Sequence, residues 1–528
     1  MKPRIITGSL AILIFVASLA TSYYPIYKKG YGLGGDFLLL SEARNYATVG
    51  TYKYESSNGV LLTADKAVTE GKETGITNPL TPIIYGQIYK YFGSDNPLMP
   101  MYISIILAGL FNVVIFLLIT RLFNVTIGLF SAMTMVFMPV RVIGSLFFGS
   151  YEFAMIFFAV ALWLYFDSKD NFRANSWRIV FASMFFALAA LARNAFLISF
   201  VPFALYDFYK NRSWKRCLVF VIPFLIIFGS TLTKYSWLGV PNGYVSNIGS
   251  QPFSQVGHVY SDPYSLYYNQ DNFINNLISQ GELNRVSVHF FSQWNYKVGL
   301  TDKINAYANS VKYYFTQTGD LTNYGGPIII LVMLLGGFWL YKNNKDMLWF
   351  FGLWFVVWLG GLIYFTTGNW DHFLEIIFIA AVLVGVGLYQ LVEMFKIIRI
   401  KQSVVVLVIM LFVSGHMVYA GKWKLYDAYR SSYFGTALDL VNRGSELKKS
   451  GVVAVGAHPT VASAFYYLAN RDVVYFSPDT IQELIDNGKL KDAFNIYNVK
   501  SSFGYPSNMS NQIKSILKIP VYSYDKTK

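Results

Sequence analysis

A chain of 528 residues with one cysteine, Cys217, can form no internal disulfide, so any part outside a membrane must hold itself together by packing. Histidine is nearly as scarce. The five (His258, His289, His372, His416 and His458) stand far apart, with no His-x-x-x-His spacing and no cysteine partner, which argues against a zinc site. Charge is thin as well: 14% of the residues are charged, where soluble domains carry roughly 25%. Internal repeats and low-complexity runs are absent. No Gly-x-Gly-x-x-Gly follows the strand pattern that ends at Gly456, so a dinucleotide site has no support.

What the sequence has in plenty is apolar surface. It is 54% hydrophobic and 18% aromatic, and apolar runs recur along most of its length. The fold class expected is a polytopic α-helical membrane protein with about eleven spans. The candidate segments are Ile5–Tyr23, Leu98–Thr120, Val125–Pro139, Phe153–Phe166, Ile179–Leu191, Ala195–Tyr206, Cys217–Leu232, Pro327–Tyr341, Met347–Phe365, Phe373–Val392 and Val404–Ala420. Several fall short of the roughly 17 residues a straight span needs, so extended or broken helices are expected among them. Ile5–Ala20 has the look of a secretory signal, with Lys2 and Arg4 before it, but its length and apolarity favour an uncleaved span.

The net charge of +14 has a simple origin. Lys2, Arg4, Arg121, Lys169, Arg173, Arg178, Lys210, Arg212, Lys215, Arg216, Lys342, Lys345, Lys396, Arg399 and Lys401 fall in alternate loops, the positive-inside pattern. Nucleic acid is therefore not an expected partner; membrane lipids are. The localisation expected is the plasma or inner membrane, with the polar stretches 24–97 and 234–326 and the tail on the extracytoplasmic side. Two domains follow: a transmembrane part over 1–420, and an extracytoplasmic α/β domain over 421–528. In the second, VVAVGAH (Val452–His458) and VVYF (Val473–Phe476) read as strands between helix-like runs.

Polar residues at the extracytoplasmic mouths of the spans are the candidates for chemistry. Asp36 follows Gly34-Gly35 and opens an amphipathic stretch, GGDFLLLSEARNYATVGTYKY, that also carries Glu42 and Arg44. Its plain reading is a helix N-cap. The turn Thr77–Pro82 contains Asn78 and two prolines, an elbow. Glu152 stands at the mouth of the fourth span, where a carboxylate must be solvated or paired. Arg193 interrupts an apolar run on the side where basic residues are sparse. The loop TTGNWDHFLE brings Asp371, His372 and Glu375 to the same side. Carboxylates with an isolated arginine and a histidine suit sugar transfer from a lipid phosphate. The acceptor hydroxyl needs a general base, and the leaving phosphate needs a cation.

In order and character these motifs resemble the GT-C superfamily of polyprenyl-phosphate-sugar-dependent membrane glycosyltransferases, closest to its protein O-mannosyltransferase and aminoarabinose-transferase branch. The resemblance runs through GGDFLLLSEARNYATVGTYKY, NPLTPIIYGQIYKYFG, SYEFAMIFFAVALWLYF, ALAALARNAFLISFVPFALY and the pair His372-Phe373. It implies Asp36 as catalytic base and Glu152 as a second acidic residue of the catalytic site. It implies Arg193 and His372 as phosphate or sugar contacts; Glu42, Arg44, Asn78 and Asp371 are the further substrate-binding candidates. Asn78 stands where some members carry a basic residue, and Glu375 where a proline is frequent. No cofactor is required, although Asp36, Glu42 and Glu152 have the oxygen chemistry to hold a divalent metal. The reading is an inverting hexosyl- or pentosyltransferase. It takes a polyprenyl-phosphate-linked sugar as donor and a lipid, glycan or protein as acceptor. A transporter or flippase of lipid-linked glycans would place charges at the midplane and repeat its halves. A polymerase using lipid-pyrophosphate chains and a non-catalytic receptor on the same scaffold are the other rivals.

Overall fold

The computed structural model describes residues 3–29, 80–93, 98–167, 172–211, 213–230, 324–365, 370–395 and 401–430. It also describes short pieces elsewhere, chiefly the strands of the tail. Along the chain the helices are α1 (Pro3–Lys29), α2 (Leu80–Phe92), α3 (Met99–Leu122), α4 (Val125–Phe137), α5 (Pro139–Leu146), α6 (Ser150–Asp167) and α7 (Phe172–Ala192). They continue as α8 (Phe196–Asn211), α9 (Trp214–Ser230), α10 (Pro327–Asn343), α11 (Lys345–Phe365), the 3-10 helix η1 (Trp370–Ile376), α12 (Ile377–Phe395) and α13 (Gln402–Arg430). The strands of the larger sheet are β1 (Leu62–Thr63), β2 (Val452–Gly456), β3 (Val473–Tyr475), β4 (Phe494–Lys500) and β5 (Tyr522–Asp525).

Contacts divide the chain into two compact units. The first comprises Met1–Gly32, Met99–Leu232 and Tyr307–Arg430, and among its described residues it is almost wholly helical. Most of the apolar segments expected to span lie, to within two residues at each end, inside helices of this unit, and Phe373–Val392 begins in η1 and continues as α12. Four stretches of described residues are long and apolar enough to cross a membrane alone: Ile5–Lys29, Met99–Leu122, Phe373–Phe395 and Gln402–Lys422. The expected segment Val125–Pro139 is instead a broken one, α4 and α5 meeting at 56°. The expected Val404–Ala420 runs on to Arg430 as α13. α7 and α8 are separate helices, with Arg193 between them.

Two kinds of packing hold this unit. Where helices cross closely, glycine makes room. A Cβ at Gly336 of α10 would sit 1.9 Å from the Leu383 carbonyl oxygen of α12, and one at Gly387 of α12 would sit 2.1 Å from that of Val332. Such contact between backbones is the usual way helices associate in lipid, where apolar burial between them gains little. Elsewhere aromatic side chains fill the space. Phe158 of α6 meets Phe186 of α7, Phe203 of α8 and Trp354 of α11, with centroids 5.6, 6.4 and 5.6 Å away and rings edge to face.

At one end of the bundle, ion pairs tie helix termini together. Asp167, the last residue of α6, meets Arg121 of α3 and Arg178 of α7. Asp207 of α8 accepts from Arg216 Nε of α9 at 2.7 Å and from the Tyr165 hydroxyl of α6 at 3.3 Å. Lys210 of α8 donates to Asp346 of α11 at 2.5 Å. Four of the expected loop cations, Arg121, Arg178, Lys210 and Arg216, make these contacts.

The second unit comprises Leu33–Leu98, Thr233–Ala306 and Ser431–Lys528. It holds a five-stranded parallel sheet in the order β1-β3-β2-β4-β5. β2 and β3 are the two strands read from the tail sequence. β1 comes from the first long polar stretch and pairs Leu62 with Val474 and Thr63 with Tyr475. Helix α2 belongs here too. It starts at Leu80, so Pro82 lies in its first turn, where no intrahelical N–H bond is lost.

Candidate functional site

The end of the bundle opposite those ion pairs is shaped by one proline. Asn124 caps α4, its side-chain oxygen accepting from Ile127 N at 2.9 Å. Pro139 then closes the helix. It has no N–H for the helical ladder, and it holds Met138 extended at φ −63 and ψ 121. Pro139 restarts the chain as the first residue of α5. After α5 the chain runs extended through Phe147 and Phe148, turns at Gly149 with φ 142, and enters α6 at Ser150. Only glycine takes that φ without strain.

This reversal brings Arg141 of α5 onto Glu152 in the first turn of α6. Arg141 NH1 donates to Glu152 Oε1 at 2.6 Å, and NH2 donates to Oε2 at 2.8 Å. The two residues are 2% and 0% exposed, so the pair is out of water altogether. A two-pronged guanidinium–carboxylate contact is the geometry best able to offset that desolvation. The helix dipole of α6 also favours a carboxylate at its N-terminus. The Arg141 guanidinium lies 5.2 Å from the centroid of the Phe111 ring of α3.

Beside Glu152, Tyr151 presents its ring to Arg193. The guanidinium carbon of Arg193 is 3.3 Å from the ring centroid, a stacked cation–π contact. Arg193 is the first residue past α7. Its N–H closes the last turn on Ala189 O at 2.9 Å, and its carbonyl accepts from Phe196 N at 3.0 Å at the start of α8. Its backbone thus links two helices while its side chain stays beside the Arg141–Glu152 pair's helix. η1 reaches the same end. Its Leu374 packs against Gly144 of α5, where a Cβ would lie 2.8 Å from a Leu374 methyl. Its Glu375 is 0% exposed and accepts from Trp358 Nε1 of α11 at 3.1 Å.

Of the residues singled out in the sequence, the structure therefore brings Arg193 to the first turn of α6, stacked on Tyr151, the chain neighbour of Glu152. Glu152 is not a water-facing lip residue; it is buried and paired. Arg44 is helical and partly buried, in the second unit. Asp371 and His372 lie in the first turn of η1, and their side chains fall outside the described residues. Asp36, Glu42 and Asn78 lie outside the described residues. Arg141 was missed. Its signal was present in MPVRVIGSL: a basic residue on the side where bases are sparse, the same argument that marked Arg193.

Among the described residues no three His, Cys, Asp or Glu side chains converge as a metal site would require. Both Glu152 oxygens are engaged by Arg141, which leaves a poor fit to a divalent cation at that residue.

No family model and no curated protein matches this chain by sequence. Solved structures do match by fold. ArnT from Cupriavidus metallidurans bound to undecaprenyl phosphate superposes with a TM-score of 0.53 at 12% identity, over 92% of this chain and 91% of that one. The archaeal oligosaccharyltransferase AglB from Archaeoglobus fulgidus, in complex with an inhibitory peptide and a dolichol-phosphate, gives a TM-score of 0.54 at 10% identity. That match covers 88% of this chain and 64% of AglB, so the chain spans less than two-thirds of that protein's length. The chain has the fold of these two proteins.

Proposed function

We propose that this protein is an inverting glycosyltransferase of the membrane. It moves one sugar from a polyprenyl-phosphate donor to a lipid, glycan or protein acceptor. The observation that carries the reading is the fold likeness over nearly the full length to a protein that holds undecaprenyl phosphate. A second neighbour holds a dolichol phosphate, the same chemistry on another isoprenoid. The aminoarabinose-transferase-like branch is favoured over the oligosaccharyltransferase one, because the match to ArnT extends over both chains.

In the reaction, the acceptor hydroxyl gives its proton to the Asp36 carboxylate as its oxygen attacks the anomeric carbon. The bond from that carbon to the phosphate oxygen breaks, with inversion, and polyprenyl phosphate leaves as an anion. The anion needs a cation and no acid. Arg193 supplies it: a guanidinium braced on the Tyr151 ring presents a planar fork to phosphate oxygens. Glu42, Arg44, Asn78, Asp371 and His372 are the further donor and acceptor contacts in this reading. Glu152 has a supporting part, fixing Arg141 and the turn from α5 into α6, because both its oxygens are already bonded. No step is routed through a metal.

The charge pattern supports an extracytoplasmic site. Arg121, Arg178, Lys210 and Arg216 gather at the bundle end away from Glu152 and Arg193, and positive residues face the cytoplasm. The test is direct. Purified protein in lipid is incubated with a panel of radiolabelled polyprenyl-phosphate hexoses and pentoses and an envelope extract as acceptor. At least one donor should yield labelled, non-prenyl product and free polyprenyl phosphate in equal amounts. A panel in which no donor is consumed above a boiled control would sink the reading.

A further inference from the structure

We infer that a hydration site lies inside the helical unit, between α1, α3, α4 and α5, and that it holds one water bonded to Arg141 and Asn112. Arg141 uses NH1 and NH2 on Glu152, but its Nε–H is buried and has no protein partner. Asn112 of α3 is 3% exposed, and its Oδ1 is likewise buried and unpartnered. Both side chains line one cavity of about 10 Å³, close to the least that admits a water. Thr21, Ser22, Ala108, Met135 and Ser145 complete most of its wall.

The hydrogen-bond network fixes which atoms face the cavity. Ser18 donates its only hydroxyl proton to Ile14 O at 2.7 Å, so at 3.0 Å from Asn112 it must accept. That assigns the amide nitrogen of Asn112 to Ser18 and turns Oδ1 the other way. Ser145 donates to Val142 O at 2.7 Å, so the Ser22 hydroxyl, 2.8 Å away, donates to Ser145. The Thr21 hydroxyl donates back to its own helix, to Ala17 O or Ser18 O. Every hydroxyl proton in the wall is thus spent, so the wall's hydroxyls offer lone pairs only, and its unpartnered side-chain atoms are one donor, Arg141 Nε–H, and one acceptor, Asn112 Oδ1.

That inventory selects the occupant. An anion would face the hydroxyl lone pairs and Asn112 Oδ1. A cation would sit against a guanidinium. Water fits, accepting from Arg141 Nε–H and donating to Asn112 Oδ1 and to a serine or threonine oxygen, the three bonds typical of buried water. It also relieves two buried atoms whose isolation would otherwise be costly. The third edge of the Arg141 fork then has a partner as well.

Met135 gives a readout that needs no assay of activity. It is 0% exposed yet lines the cavity, whereas Met138 and Met155, 0% and 1% exposed, do not line it. Hydroxyl radicals made by X-ray radiolysis of a trapped water oxidise the nearest thioether. In wild-type protein in nanodiscs, mass spectrometry should find Met135 oxidised several-fold faster than Met138 or Met155. Ala108→Val fills the cavity without removing a hydrogen-bonding group, and should bring Met135 down to their rate. Asn112→Leu should do the same. Equal rates for the three methionines in wild type would overturn the inference, and so would fast Met135 oxidation that persists in Ala108→Val. Should Ala108→Val not fold, the wild-type comparison and Asn112→Leu decide it.

Discussion

Burying an arginine beside a glutamate forfeits hydration worth several kcal/mol per ion, and only well-made hydrogen bonds recover it. Arg141 and Glu152 meet that requirement at both prongs. Removing either partner leaves an uncompensated charge in an apolar interior. Arg141→Met and Glu152→Met should therefore each lose about 3–5 kcal/mol of stability, measured as aggregation temperature in detergent and by denaturant titration. The double variant should recover most of that loss, because an apolar pair of similar volume is often neutral or better. The residue-level question is whether the pair serves more than stability. On the present account the refolded double variant remains deficient in transfer, since the turn into α6 also positions Tyr151 and through it Arg193. Full transfer activity in a stable double variant would make the pair a structural clamp alone.

At the scale of elements, apolar run length located the helices well, because a membrane-buried helix must satisfy its own backbone and so announces itself as a continuous run. What it could not locate was the geometry of the α4–α5 bend. Pro139 was visible as the end of a segment, but the restart beyond it was not, and Arg141 went unremarked with it. Sequence separation hid the rest: Arg141 and Glu152 are neighbours only because Gly149 turns the chain back. Glycine packing is similarly illegible. Gly336 and Gly337 are adjacent on α10 and look alike in sequence, yet only Gly336 faces the α12 backbone, while a Cβ at Gly337 would meet nothing within 4 Å. Gly336→Ala should force α10 and α12 apart and lose about 1–3 kcal/mol, as overpacking generally does. Gly337→Ala should be neutral or slightly stabilising, by up to about 1 kcal/mol from helix propensity. Thermal unfolding of the two variants in one detergent checks the contrast, and equal effects would contradict this packing.

For the whole molecule, the sequence revealed a membrane bundle followed by strands, but not how the polar stretches combine. β2 and β3 could be read from VVAVGAH and VVYF, whose apolar runs bounded by turn residues mark buried parallel strands. β4, FNIYNVK, mixes polar and apolar residues without such a signal, and β1 is two residues recruited from far upstream. Long-range parallel pairing leaves no local pattern. The catalytic proposal was legible only through the order of weak motifs, since Asp36 alone is also a good helix cap. Asp36→Asn separates the two, because Asn and Asp cap about equally well while only Asp can take a proton. The deciding measurement is the initial rate of sugar transfer from the preferred polyprenyl-phosphate donor by wild type and by Asp36→Asn, with donor binding measured on the same preparations. The account predicts unchanged folding and donor affinity and transfer slower by at least about a hundredfold, as loss of a general base entails. Transfer by Asp36→Asn at the wild-type rate would contradict it and leave Asp36 a cap.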